Sequence, residues 1–328
     1  MFLVRGEKVL VVNGGPPDEI IDLKDSEYSC ILPKFPVTLR GSTGGLIGKT
    51  PLVCGGDTYD YKNKQDNQAC YTLQIGGEGG FWKKDESFSL FTGRNYAATG
   101  SVLINNGLVM VGGVTEWSKI ASTIELVGRN RVSQTLNVQL PTGTLGSCIV
   151  PWNSHVFMVI GGNTHVEGLS HSNTKATYWI GLDEDFSKGI LVKGPELGIA
   201  RSFHACSEMT VNGEEYIVVT GGNTLTESPT VSTEMLAKNW TNWSNAWQKG
   251  ADMPVPINHH QMIASQDKQF VYTIGNDVYN QSKKIWRYSC NGDISKCQWT
   301  KMETQLQYGR SRFVAFPIPN SLASKFCQ

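Results

Sequence analysis

The chain has 328 residues, 40% of them hydrophobic, which is ample for a large buried core. Lys plus Arg equals Asp plus Glu at 29 each, so no net field recruits nucleic acid or an anionic membrane. No apolar run approaches the roughly 20 residues that span a bilayer. The opening stretch "MFLVRGEKVLVV" has neither the apolar centre nor the small-residue cleavage site of a leader. It runs directly into the first predicted strand, so a secreted form of the chain would have lost its leader.

That strand, "VLVVNGG", stops at a glycine pair ending at Gly15. The ending returns along the chain in "PLVCGG" at Gly56, "VMVGG" at Gly113, "FMVIGG" at Gly162 and "YIVVTGG" at Gly222. A degraded sixth copy, "FVYTIGN", ends at Asn276. The intervals of roughly 40 to 60 residues fall in the range of propeller blades. Several copies are preceded by a segment of Arg and small residues, as in "GRNYAATGSVL", "ARSFHACSEM" and "GRSRFVAFPI". Each is followed by a β-branched or aromatic strand: "EIIDL", "CYTLQI", "STIELV", "ATYWI", "STEMLA" and "KIWRY". A short strand then often carries Trp (Trp82, Trp247, Trp299), and a turn with Pro33, Pro141, Pro195 or Pro254 closes the unit. Four short strands with no helical period predict a four-stranded antiparallel blade. Glycine suits the strand exit because blades crowd together near the axis and the turn calls for positive φ.

The units predict one domain of six blades. Blade 1 takes residues 1–33 plus 309–318, blade 2 34–90, blade 3 91–140, blade 4 141–194, blade 5 195–252 and blade 6 253–308, with a tail at 319–328. Blade 1 starts without an innermost strand, and the extra strand "RSRFVAFPIP" follows blade 6. The simplest closure puts that C-terminal strand innermost in blade 1, leaving no exposed end blade.

This grammar resembles the kelch repeat over the whole chain. "IDLKDSEYSCILPKFPVTLRGSTGGLIGKTPLVCGG", "STIELV", "GPELGIARSFHAC" and "YGRSRFVAF" are similar to blade signatures of secreted invertebrate kelch proteins. The resemblance implies an all-β, six-bladed kelch-type β-propeller. Blade 3 departs from it in lacking the outer Trp, and blade 6 in having Gly275-Asn276.

On this map Cys54 and Cys70 lie on neighbouring antiparallel strands of blade 2. Cys290 and Cys297 flank the turn "NGDISK" of blade 6, and these two pairs are expected to be disulfides. Cys148 and Cys206 fall on inner strands of adjacent blades and are expected to form a disulfide, the alternative being small buried hydrophobes. A Cys30–Cys327 bond would lock the ring through a very long loop. No C-x2-C spacing suggests a metal site. Sequons at Asn239, Asn242 and Asn280 are expected to be exposed and glycosylated, and together with the 8 Cys they point to an extracellular protein.

Aligned inner strands place Arg40, Arg94, Arg201 and Arg310 in one slot, with Thr144 and Ile257 in blades 4 and 6. Four guanidiniums at one channel mouth would attract a small anionic molecule; the alternative is scaffold arginines bonded to loop carbonyls or acids. His204 follows Arg201, and His260 takes the equivalent place in blade 6. With Arg201 they are the catalytic candidates if the chain is an enzyme, although a rim histidine bonded to backbone is the plainer reading. Kelch-type propellers include a copper radical oxidase, but its set of two Tyr, two His and a crosslinked Cys finds no match here. No cofactor is implied, and no dinucleotide, P-loop or Ser-His-Asp signature occurs. The polar loops "GGNTHVEGLSHSN", "GGNTLTESPTVS" and "DTYDYKNKQDNQ" are the candidate binding surface. The favoured expectation is a secreted, monomeric recognition or scaffold module that binds a protein or glycan through loops on one face. The alternative is a secreted enzyme, an oxidase among the options, acting at the channel mouth.

Overall fold

The computed structural model describes residues 7–15, 17–58, 68–77, 79–104, 106–115, 119–128, 133–164, 172–186, 188–224, 228–239, 246–275 and 283–327. The fold is all-β apart from short helical pieces, and among these residues it contains six four-stranded antiparallel sheets. Five are ordered along the chain, three of them skipping short strands that pair in small separate sheets. The third, for example, is ordered Leu103–Ile104, Gly107–Val111, Thr123–Val127 and Gln134–Gln139. The first sheet differs, since Lys8–Val12 lies between Glu19–Asp22 and the C-terminal strand Val314–Pro317. Val12 faces Val314 and Leu10 faces Phe316 in that ladder.

The second strand of a sheet is apolar throughout because it is covered on both sides. Gly107–Val111, "GLVMV", is buried at every position. Outer strands such as Gly189–Lys193 alternate towards solvent. The apolar clusters lie between consecutive sheets. Val109 and Ile124 meet Ile149 and Phe157 between the third and fourth, and Ile160 meets Val219 and Trp247 between the fourth and fifth. Between the sixth and the first, Ile263 and Tyr272 meet Val9 and Ile21. Burial of this kind contributes about 25 cal/mol per Å² of apolar area.

The glycine pairs end the second strands for two separate reasons. Gly112 has φ +64, and a Cβ there would lie 2.2 Å from the Thr144 carbonyl oxygen of the next sheet. The N–H of Gly113 donates to that same carbonyl at 2.7 Å. Contacts of the same kind run Gly56 to Arg94, Gly162 to Arg201 and Gly222 to Ile257. In the first sheet the register differs from the sequence expectation. Gly14 makes the equivalent bond, to Leu39, and Asn13 at φ 64 takes the place of the first glycine.

All eight cysteines are paired: Cys54–Cys70, Cys290–Cys297, Cys148–Cys206 and Cys30–Cys327. Cys54 and Cys70 are directly opposed across their ladder, as are Cys290 and Cys297. The tail forms a helix, Asn320–Phe326, whose Leu322, Ala323 and Phe326 enter the cluster between the first and second sheets. Cys327 then fixes its end to the outer strand of the first sheet across 297 residues of sequence. No helix among the described residues is long and apolar enough to cross a membrane.

Gly112→Ala is expected to destabilise the fold by about 1–3 kcal/mol from backbone strain, with the carbonyl clash in addition. Gly181→Ala, at ordinary φ with its nearest atom at 3.8 Å, is expected to stay within about 0.5 kcal/mol of the parent. Urea unfolding of the two variants checks both, and equal midpoints would refute the crowding argument.

Candidate functional site

Three of the expected arginines sit in one structural slot, and all three are fully buried. The Arg201 guanidinium donates to the Gly221 and Ser232 carbonyls and to the Ser232 hydroxyl, and it pairs with Glu234 at 2.6 Å. Arg310 repeats this with the carbonyls of Asn13, Gly15 and Pro17 and with Glu19 at 2.6 Å. Arg94 repeats it with Gly112, Thr123 and Glu125. Burial pulls Arg201 and Arg310 below their ordinary values, and the paired carboxylates oppose it. Each Glu also accepts from the incoming chain: Glu125 from the Phe91 and Thr92 N–H groups, Glu234 from Gly198 and Ile199, Glu19 from Gln307. These guanidiniums are held inside their own sheets by carboxylates and carbonyls, which is the scaffold arrangement.

Arg40 does not occupy the slot. The residue whose carbonyl meets the preceding glycine is Leu39, one position earlier. Arg40 instead pairs with Asp57 at 3.0 Å in a half-buried position. The slot therefore reads Leu39, Arg94, Thr144, Arg201, Ile257, Arg310. The position facing it on the third strand reads Tyr71, Glu125, Tyr178, Glu234, Trp286, Glu19. Arg–Glu pairs alternate with apolar or hydroxyl residues facing aromatic ones.

His204 and His260 are fully buried. His204 Nε2 lies 3.1 Å from the Ile160 carbonyl and so donates to it. Burial, aided by Arg201 and the other histidine, holds His204 well below its ordinary value. Burial first, then His259 and Arg201, lowers His260 to about 3. Neither ring meets solvent, and the two rings lie against Gly161 and Gly221 respectively.

Two residues beyond the slot, six backbone segments join in a cycle of hydrogen bonds. Tyr96 N–H donates to Gly41 O (2.8 Å), Gly146 to Tyr96 (3.0 Å), and Phe203 to Gly146 (2.6 Å). His259 donates to Phe203 (2.9 Å), Arg312 to His259 (3.3 Å), and Gly41 to Arg312 (3.0 Å). All six have positive φ, between 49 and 65. A Cβ on Gly41 would meet the Tyr96 ring, and one on Gly146 the Phe203 ring, so the glycines seat their neighbours' aromatic side chains. Phe203 and His259 lie 4.2 Å apart between ring centroids. Next to this belt is a cavity of about 40 Å³ lined by Ser42, Tyr96, Ser101, Phe203, His259 and Arg312 among others. Sequence reading missed the belt; its signal is the Gly, Tyr, Phe, His or Arg two residues after each slot.

Asn239 is exposed, with Nδ2 3.4 Å from Glu214. Asn242 and Asn280 lie outside the described residues, as do the middles of the three polar loops. The ends of two loops meet: Asn173 donates to the Asn223 and Thr224 carbonyls, and Asn258 to the Asn223 side chain. No group of three His, Cys, Asp or Glu suited to a metal occurs among the described residues.

No protein-family model and no curated protein sequence matches the chain. Among solved structures the chain is similar to the structure of YjhT, with a TM-score of 0.67 at 12% identity, covering 90% of this chain and 97% of that one. That identity supports a likeness of fold alone, a propeller-like architecture.

Glu234→Ala is expected to cost about 3–5 kcal/mol, because it leaves a buried guanidinium unpaired. Arg201→Met combined with Glu234→Leu is expected to cost less than the sum of the single changes. A double-mutant cycle by chemical denaturation checks this, and additive effects would refute the pairing.

Acid should unfold the chain through its histidines. Burial, then the Arg312 charge, also lowers His259 to about 3, so His204, His259 and His260 stay neutral when folded, whereas the unfolded chain protonates near 6.5. The unfolded state then binds more protons, and stability falls as pH drops below about 6.5. Asp18, raised to about 6 by burial, acts oppositely between about 6 and 3.8 but is one group against three. His260→Leu is expected to reduce the fall in urea midpoint between pH 7 and pH 5; an unchanged fall would refute the assignment.

Proposed function

We propose that the chain is a closed, six-bladed kelch-type propeller that works outside the cell as a recognition module. It binds a protein or glycan through the loops on the face where the glycine pairs turn. The observation that carries this reading is the filled axis. Aromatic side chains cross it, and the cavity beside them is about 40 Å³, against the roughly 300–1,000 Å³ of small-molecule sites. Arg94, Arg201, Arg310, His204 and His260, which an enzyme at the mouth would need, are buried within the sheets. Export is supported by four disulfides, which persist in oxidising compartments, and by the exposed sequon at Asn239. The six interfaces between sheets and the cyclic bonding at the axis support the blade count and the closure.

The test is glycan-array and extracellular-protein binding by protein made through a eukaryotic secretory route. Exchange of residues 163–173 and 224–230 for short Gly-Ser turns is expected to abolish binding while leaving the melting temperature within a few degrees. Turnover of a small-molecule panel, or oxygen uptake, that survives the exchange would overturn the recognition reading in favour of an enzyme. A glycan is expected at Asn239 and is expected to disappear in Asn239→Gln.

A further inference from the structure

Arg312 differs from the other arginines of the inner strands. It is half-buried, it lines the axial cavity, and no carboxylate pairs with it among the described residues. Its guanidinium carbon lies 5.8 Å from the Tyr96 ring. Its φ of 57 is a strained value for a long side chain, and the same place in the second and fourth sheets is held by Gly41 and Gly146. The belt therefore works with glycine, and the guanidinium is extra to it.

A partly desolvated cation next to neutral walls needs a counter-charge. The cavity supplies a second unsatisfied group, since Ser42 Oγ is buried and has no partner. His259, which lines the same cavity, is kept neutral by burial and by the Arg312 charge, and as an imidazole it offers no negative charge. At about 40 Å³ the space is roughly three times the 10–15 Å³ that one water needs, room for an ion of a few heavy atoms and too small for a sugar or a nucleotide. A guanidinium fork and a hydroxyl that line the same small cavity can between them hold oxygens of one small anion.

We propose that the axial cavity binds a small oxyanion of carboxylate or sulfate size through the Arg312 guanidinium and the Ser42 hydroxyl. The anion would neutralise the Arg312 charge, which no carboxylate pairs with among the described residues, and fix its side chain. This site is independent of the recognition reading and stands or falls separately.

Sodium acetate and sodium sulfate titrated into the full chain, with ionic strength balanced by sodium chloride, test it. The wild-type melting temperature is expected to rise saturably with at least one salt. Arg312→Gly, which suits the backbone at that position, is expected to fold and to weaken the apparent affinity by about tenfold or more. An equal saturable rise in Arg312→Gly, or no saturable rise in the wild type, overturns the proposal. Should Arg312→Gly not fold, Ser42→Ala decides: saturation at several-fold higher anion supports the site, and an unchanged curve overturns it.

Discussion

The arrangement rests on six backbone hydrogen bonds that run around the axis from sheet to sheet. A residue in an ordinary strand directs its N–H and carbonyl to the strand beside it in the same sheet. Positive φ at Gly41, Tyr96, Gly146, Phe203, His259 and Arg312 turns those groups towards the neighbouring sheets instead. Each bond is worth only about 1 kcal/mol net, but a buried group left unpaired costs more, so the cycle is satisfied together or not at all. The glycine pairs form a parallel set of contacts further along each sheet. There the demand is for close approach, and a side chain would strike the next sheet's carbonyl.

The buried charges follow from that geometry. A turn that lifts the chain off the sheet exposes carbonyls such as Gly112, Gly221 and Asn13 to a dry interior, and Arg94, Arg201 and Arg310 satisfy them. Each guanidinium then requires a carboxylate, and each carboxylate also holds the segment arriving from the preceding sheet. Such pairs gain little net stability over apolar packing, because desolvation cancels most of the attraction. Their effect is to fix where the incoming strand crosses. In the alternate sheets the equivalent strand position carries Tyr71, Tyr178 and Trp286, so the charge pair marks three of the six crossings.

The strands, the sheet partners and the pairing of Cys54 with Cys70 and of Cys290 with Cys297 were legible, because they depend on local pattern and turn chemistry. The slot was legible in the first and in the third to sixth units and misread in the second. "LRGS" offers an Arg where the alignment wants one, yet Gly41 is the positive-φ residue and fixes Leu39 as the slot. The acids facing the arginines recur as "STIELV", "STEMLA" and "EIIDL", a signal available before the fold was known. Pairing Arg310 with Glu19 demanded more, since 291 residues separate them and only the meeting of the two ends joins them. The tail helix lacked a readable period in seven residues, and what holds it is packing against the first two sheets together with Cys30.

Arg310 and Arg312 show how one short segment before the strand Val314–Pro317 directs the same residue type to different surroundings. Strand periodicity alone would put positions two apart on one side. The left-handed backbone at Arg312 breaks that alternation. Arg310 therefore enters the first sheet and meets Glu19, while Arg312 borders the axial cavity and meets the Tyr96 ring. The whole-chain balance of 29 basic and 29 acidic residues does not reveal this. Local placement decides, because a guanidinium in a narrow cavity is screened far less than one on the surface. A neutral chain can in this way place a guanidinium against an internal cavity, at a position whose backbone turn does not require one.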